Sequence, residues 1–215
     1  MIVYGSSLSP FVRKVMAFAA EKGLDVELRP NAGASGPDPE FLAASPFRKI
    51  PAMRHGDFAL ADSSAIVAYM EKLKPSPELI PAEPKAHAKA IWFDEYADTV
   101  ACAAGVPMFF NRIVAPLLGR PQDLAAANRA EKELLPPSLD YLDSVAPAAG
   151  RFLVGDGLTL ADIAVASPFV NLRHLGIDYA SSHPRAAAYV DAILARPSFA
   201  KLIQGETAFL AQRAA

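Results

Sequence analysis

The 215-residue chain is poor in several features that mark particular protein classes. It has one cysteine, Cys102, which excludes an intrachain disulfide framework and any structural zinc site built on two or more thiolates. It has no excess of one charge: 21 Lys and Arg stand against 23 Asp and Glu, a formal charge of -2. A nucleic-acid binder shows a strongly basic balance instead. Its four histidines, His55, His87, His174 and His183, are scattered without the spacing of a zinc hydrolase. A GxSxG elbow, a GxxxxGK[ST] loop and a GxGxxG fingerprint are all missing. No apolar run reaches the roughly 18 residues of a membrane helix, because Arg, Lys, Asp or Pro interrupts each candidate. The opening Met1-Ile2-Val3-Tyr4-Gly5 lacks the basic and then apolar order of a signal peptide. The expectation is a cytoplasmic protein without nucleic-acid or membrane partners. What it has is 52% apolar and 20% charged residues, a globular composition, and 19 prolines that punctuate it.

Two textures follow one another. In residues 1–74, Ile2-Val3-Tyr4 reads as a strand, and Pro10 to Lys22 as a helix with an apolar stripe of Phe11, Val12, Val15, Met16 and Phe18. Val26 and Leu28 suggest a second strand, and Pro30 to Pro39 is rich in loop formers. Phe41 to Ala44 is a helical turn. Pro51 to Arg54 and Phe58 to Leu60 read as a hairpin, and Ser63 to Lys74 as a helix. That order predicts a small mixed sheet with helices packed on it. Pro75, Pro77, Pro81 and Pro84 mark residues 75–84 as a linker. Residues 85–215 carry only helical patterns, with Pro107 and Pro116 expected to bend or end one helix and Pro136-Pro137 to break the next. Asp94, Glu95 and Asp98 read as a solvated helix face, and Thr159 with Asp162 as a capping box.

Three short segments could carry chemistry. Ser9-Pro10 is a strong helix start, and Ser9 is either a plain N-cap or a hydroxyl offered to an anion at the positive end of the helix dipole. Ser6 and Ser7 in the same loop could serve instead. Asp62-Ser63-Ser64 is again either an N-cap or a site for both charges of an amino acid's α-carbon end. Lys49-Ile50-Pro51 contains an X-Pro bond, the one kind for which a cis peptide is cheap.

In this order and spacing the segments resemble the cytosolic glutathione transferases of the serine type (phi, theta, zeta and tau-like). Tyr4-Gly5-Ser6-Ser7-Leu8-Ser9-Pro10-Phe11-Val12-Arg13-Lys14-Val15 is similar to that family's first strand, catalytic loop and helix. Ser45-Pro46-Phe47-Arg48-Lys49-Ile50-Pro51-Ala52-Met53 resembles its Asn-Pro-x-Gly-Lys/Gln-Val-Pro segment, and Asp62-Ser63-Ser64-Ala65-Ile66 its Glu-Ser-x-Ala-Ile motif. Gly157-Leu158-Thr159-Leu160-Ala161-Asp162-Ile163-Ala164 resembles the capped buried helix of its second domain. The resemblance implies an α/β thioredoxin-like βαβαββα domain followed by an all-α domain, and a homodimer that uses glutathione as co-substrate without a metal.

It also implies roles. Ser9 would donate a hydrogen bond to the glutathione thiolate. Ile50, joined to Pro51 by a cis bond, would pair its backbone with the cysteinyl unit. Asp62 and Ser63 would hold the γ-glutamyl end, and Lys49 the tripeptide's carboxylate end. Phe11, Met108 and Arg112 would contact a small apolar electrophile. Arg48 departs from the family's glycine, altering the turn or adding a positive charge beside the site, and Asp62 departs from the commoner Glu. No basic partner for the glycyl carboxylate is evident in the 30–40 loop. Detoxifying conjugation is the leading expectation. A glutathione-dependent isomerase, dehalogenase or peroxidase is the alternative within catalysis, although Leu8 stands where an isomerase-like loop carries cysteine. A non-catalytic glutathione-binding protein is the other alternative.

Overall fold

A computed structural model describes residues 1–33 and 36–214. Two compact units divide the chain, Met1–Pro81 and Ala82–Ala215. The first runs β1 (Ile2–Tyr4), α1 (Pro10–Glu21), β2 (Glu27–Arg29), β3 (Ala32–Gly33), β4 (Gly36–Pro37), α2 (Pro39–Ala44), β5 (Ala52–His55), β6 (Phe58–Ala61) and α3 (Ser63–Leu73). Its main sheet has the order β2-β1-β5-β6. β1 and β2 are parallel, as a helical crossover requires, and the β1–β5 and β5–β6 pairs are antiparallel. Strand alternation divides the core. Tyr4 and its partner Ala52 pack with Phe41 and Ala44 of α2, and Val3 and its partner Met53 point to the other face, both fully buried. Within the stretch expected to be loop, β3 and β4 form a two-stranded ribbon. The Ala34 and Ser35 part of that expected loop lies outside the described residues.

The expected linker is in large part packed on the first unit. Lys22 at the end of α1 is fully buried and ion-paired with Glu71 of α3 at 2.5 Å. It also donates to the carbonyls of Pro75 and Pro77, and Glu71 accepts from the Leu79 N–H. Leu79 is itself buried. These bonds carry the compact unit to Pro81 rather than ending it at residue 74.

The second unit is helical: α4 (Pro84–Tyr96), α5 (Cys102–Phe109), α6 (Ala115–Leu117), α7 (Leu124–Arg129), α8 (Leu135–Val145), α9 (Leu160–His174), α10 (Pro184–Leu194) and α11 (Pro197–Ala214). Wide π-type turns at Ala97–Ala101, Phe110–Val114 and Ala130–Leu134 join α4 to α5, α5 to α6 and α7 to α8. This corrects the expected ends at Pro107 and Pro116 and the expected break at Pro136-Pro137. Pro116 and Pro136 each stand two residues after a π-type turn, which re-routes backbone bonding just ahead of the residue that cannot donate. The Asn111 amide also donates to the Pro107 carbonyl at 2.9 Å. Helix therefore continues through Pro107, Pro116 and Pro136-Pro137.

Continuity through Pro107 also corrects the expectation about apolar runs. Pro84–Leu117 is one helix of 34 residues, with a mean hydropathy of 1.5 over its most apolar window, long and apolar enough to cross a membrane. The core helix of a globular domain passes the same test, and Ala101, Cys102, Ala104, Met108 and Phe109 on it are buried. On the face expected to be solvated, Asp94 is buried and only Glu95 is exposed.

α9 is buried from Leu160 through Leu172. At its start the Asp162 carboxylate accepts from the backbone of Leu153 and Thr159, at 2.9 Å each, and from the Tyr189 hydroxyl at 2.7 Å. Burial raises the Asp162 pKa above its ordinary value despite those donors, which lower it.

The buried Lys22–Glu71 pair yields a stability prediction. Lys22→Met leaves the Glu71 carboxylate buried without its cation and is expected to cost about 3–5 kcal/mol, whereas Lys22→Met with Glu71→Leu costs much less. Denaturant titration of the two variants measures the difference.

Candidate active site

The candidate site grows from the end of β1. Gly5 has φ 147°, and a Cβ built there would lie 2.6 Å from Val12 Cγ2 and 3.2 Å from Ile50 Cβ. Only glycine lets the strand end, the first turn of α1 and the segment before β5 approach so closely. The chain then turns through Ser6-Ser7-Leu8, with the Ser9 N–H bonded to the Ser6 carbonyl at 3.0 Å, and Pro10 opens α1.

Ser9 has the extended backbone of an N-cap, φ -78° and ψ 126°, yet its hydroxyl makes no capping bond to α1. The residue is half-buried. Of the two readings of this serine, the plain cap is the one the geometry does not bear out. Ser6 is exposed and its hydroxyl accepts from the Leu8 N–H at 3.4 Å. Tyr4, another hydroxyl near the end of β1, is fully buried and donates to Glu40 Oε2 at 2.9 Å. Burial, with the Glu40 carboxylate beside it, raises the Tyr4 pKa.

A cavity of about 770 Å³ in the first unit brings together Phe11, Lys49, Ile50, Pro51, Asp62 and Ser63. The Ile50–Pro51 bond is cis. Asp62 caps α3 through Oδ1, which accepts from the Ala65 N–H at 3.0 Å, so the capping reading holds for this residue. Asp62 is also exposed and held at φ 86°, a conformation that non-glycine residues adopt at a cost of order 1–3 kcal/mol and that concentrates at functional sites. The cavity therefore combines a carboxylate and a helix N-terminus at one end with the ammonium of Lys49 in the adjoining turn. That is a set of charges complementary to a zwitterion.

Ser9 is not among the residues lining this cavity; Phe11, two residues further on in α1, is. Met108 is fully buried, and the Arg112 guanidinium is bonded to Glu131 at 2.5 Å and to Asn128 at 2.8 Å. Both side chains already have their surroundings within the second unit.

Three features escaped the sequence reading. Ser45 is buried against the turn that presents Lys49, Ala59, Leu60 and Ala61 supply an apolar wall, and Glu40 occupies the Tyr4 hydroxyl. Ser45 opens the Ser45–Met53 segment, so a local signal for it exists in the sequence. The Glu40 contact spans 36 residues and leaves no local signal. Among the described residues no group of three or more His, Cys, Asp or Glu could hold a metal ion.

Family models described as the N-terminal and C-terminal domains of glutathione S-transferase match residues 3–78 and 109–206. Glutathione S-transferase 3 of Zea mays is 34% identical over 207 residues, 94% of this chain and 92% of the relative. The chain belongs to the glutathione S-transferase family. Among solved structures, a glutathione transferase of Populus trichocarpa superposes with a TM-score of 0.80 at 30% identity, covering 95% of this chain and 98% of the other. A glutathione S-transferase of Methylobacterium radiotolerans, solved in complex with glutathione sulfonate, has a TM-score of 0.76 at 28% identity, covering 94% and 93%. The thioredoxin-like first domain and the helical second domain expected of a glutathione S-transferase are both present.

The Asp62 geometry yields a prediction about its capping bond. Asp62→Asn keeps a side-chain oxygen for the Ala65 N–H and is expected to change stability by less than about 0.5 kcal/mol, while Asp62→Ala loses the cap and costs about 1–2 kcal/mol. Chemical denaturation of both variants checks this.

Proposed function

We propose that the protein conjugates glutathione, through its thiol, to small apolar electrophiles, with Ser9 as the hydrogen-bond donor that stabilises the thiolate. The observation that carries this reading is the Ser9 hydroxyl, which stands at the start of α1 and makes no capping bond. Tyr4, the residue that could otherwise offer a hydroxyl from β1, is engaged with Glu40.

A free thiol has a pKa near about 8.5, and lowering it by about 2 units requires about 2.7 kcal/mol of preferential stabilisation of the thiolate. A hydrogen bond to a charged group supplies about 1.5–3 kcal/mol, and the α1 dipole adds about 0.3–1 kcal/mol. Ser9 keeps its proton throughout. The sulfur lone pair forms the new S–C bond, and the electrophile either expels a leaving group with its electron pair or carries the charge to a proton from water.

The rest of the tripeptide is assigned along the cavity. The Asp62 carboxylate and the Ser63 end of α3 take the γ-glutamyl ammonium and carboxylate, the Ile50 backbone the cysteinyl unit, and Lys49 the carboxylate end. Phe11 faces the electrophile. Met108 and Arg112 are left out of this assignment, one being fully buried and the other ion-paired with Glu131. A cytoplasmic, detoxifying homodimer is the accompanying proposal, drawn from the family resemblance.

Retention on immobilised glutathione and turnover of a chloronitroarene are expected of the wild-type protein. Retention without turnover of a broad electrophile panel supports a binding protein instead. Ser9→Ala is expected to lower kcat about 100-fold and to return the bound thiol's ultraviolet titration toward about 8.5, with glutathione affinity changed less than about threefold. Unchanged turnover moves the role to Ser6 or Ser7. Tyr4→Phe is expected to keep kcat within about twofold, because its hydroxyl acts on Glu40.

A further inference from the structure

The turn between α2 and β5 is organised by one hydroxyl. Ser45 is 1% exposed, and its Oγ donates to the Lys49 carbonyl at 2.7 Å while accepting from the Lys49 N–H at 2.9 Å. The Arg48 N–H closes the same turn on the Ser45 carbonyl at 3.0 Å. Arg48 has φ 56°, a left-handed conformation that carries a steric cost for a residue with a Cβ. Two bonds from a single side chain thus fix both main-chain groups of Lys49.

The consequence falls one residue further on. The Lys49 carbonyl and the Ile50 N–H belong to one planar trans peptide unit and point in opposite directions. Holding that carbonyl on the buried Ser45 hydroxyl therefore fixes the direction of the Ile50 N–H. We infer that Ser45 is a positioning residue for glutathione, acting through the Lys49–Ile50 peptide plane to aim the Ile50 backbone at the cysteinyl unit. The inference rests on the glutathione assignment above and gives a role in it to a residue whose hydroxyl is bonded to the Lys49 main chain.

The test compares the wild type with Ser45→Ala, Ser45→Thr and Ser45→Cys, by steady-state kinetics with glutathione and a chloronitroarene and by calorimetric glutathione binding. Ser45→Ala is expected to raise both KM and Kd for glutathione about five- to tenfold, with kcat and the arene KM within about twofold. Ser45→Thr keeps the hydroxyl and is expected to stay within about twofold of the wild type. Ser45→Cys, a weak donor and acceptor of similar size, falls between them and gives the same reading if Ser45→Ala does not fold. Unchanged glutathione affinity in Ser45→Ala and Ser45→Cys overturns the inference, as does an equal rise in KM for both substrates. A wild-type protein that fails to bind glutathione overturns the assignment of the site and this inference together. A binding wild type with unaffected variants overturns this inference alone.

Discussion

The close approach at Gly5 is the constraint on which the site depends. The end of β1, the first turn of α1 and the segment before β5 meet where a Cβ would lie 2.6 Å from Val12 and 3.2 Å from Ile50. A distance below about 3 Å forces the backbone or the neighbour to move, and with a branched residue on each side neither has room to do so cheaply. The absence of one side chain thus sets the separation between the helix that begins after Ser9 and the turn that carries Ile50. The sheet order β2-β1-β5-β6 does the rest, because it places β1 and β5 side by side and brings their connecting segments to one end.

Around that point the groups proposed to meet ligand are held by backbone geometry rather than by side-chain pairing. Ser9 follows a short turn and precedes a proline. Asp62 sits at φ 86° with one carboxylate oxygen occupied by the helix it caps. Lys49 is held by Ser45. Asp62 and Arg48 are both exposed, and their positive φ values are held by the hydrogen bonds of the turns they occupy, Ala65 N–H to Asp62 Oδ1 and Arg48 N–H to the Ser45 carbonyl. Long-range side-chain bonds brace the first unit, and one of them, Lys14 Nζ to Ser64 Oγ at 3.2 Å, reaches the start of α3. Tyr4 with Glu40 and Lys22 with Glu71 tie the scaffold together.

The helical unit shows how context redirects a local rule. Proline removes a donor and clashes with the preceding turn, so the local rule predicts a bend or an end at Pro107 and Pro116 and a break at Pro136-Pro137. The chain instead widens into π-type turns just ahead of Pro116 and Pro136, and at Pro107 the Asn111 side chain adds a bond to the Pro107 carbonyl. A helix whose apolar face is buried gains enough from continuing to offset a few distorted bonds. At α9 the local rule held, because Thr159 and Asp162 lie three residues apart and need only one turn of helix to meet.

Features legible in the linear chain are those whose causes are local. Alternation in Ile2-Val3-Tyr4, the start at Ser9-Pro10, the hairpin around His55-Gly56-Asp57 and the cap at Asp62 each depend on residues within a few positions of one another, so the order of elements and the family resemblance followed from them. Tertiary structure alone decided what each hydroxyl and charge does. Ser9 was freed from capping, Tyr4 was committed to Glu40 and Arg112 to Glu131, and the segment after α3 was bound to Lys22. Such partners lie 19 to 55 residues away along the chain. A hydrogen bond or ion pair over that distance is set by how strands and helices pack, and a linear pattern of residue types does not encode the distance between two side chains brought together in that way.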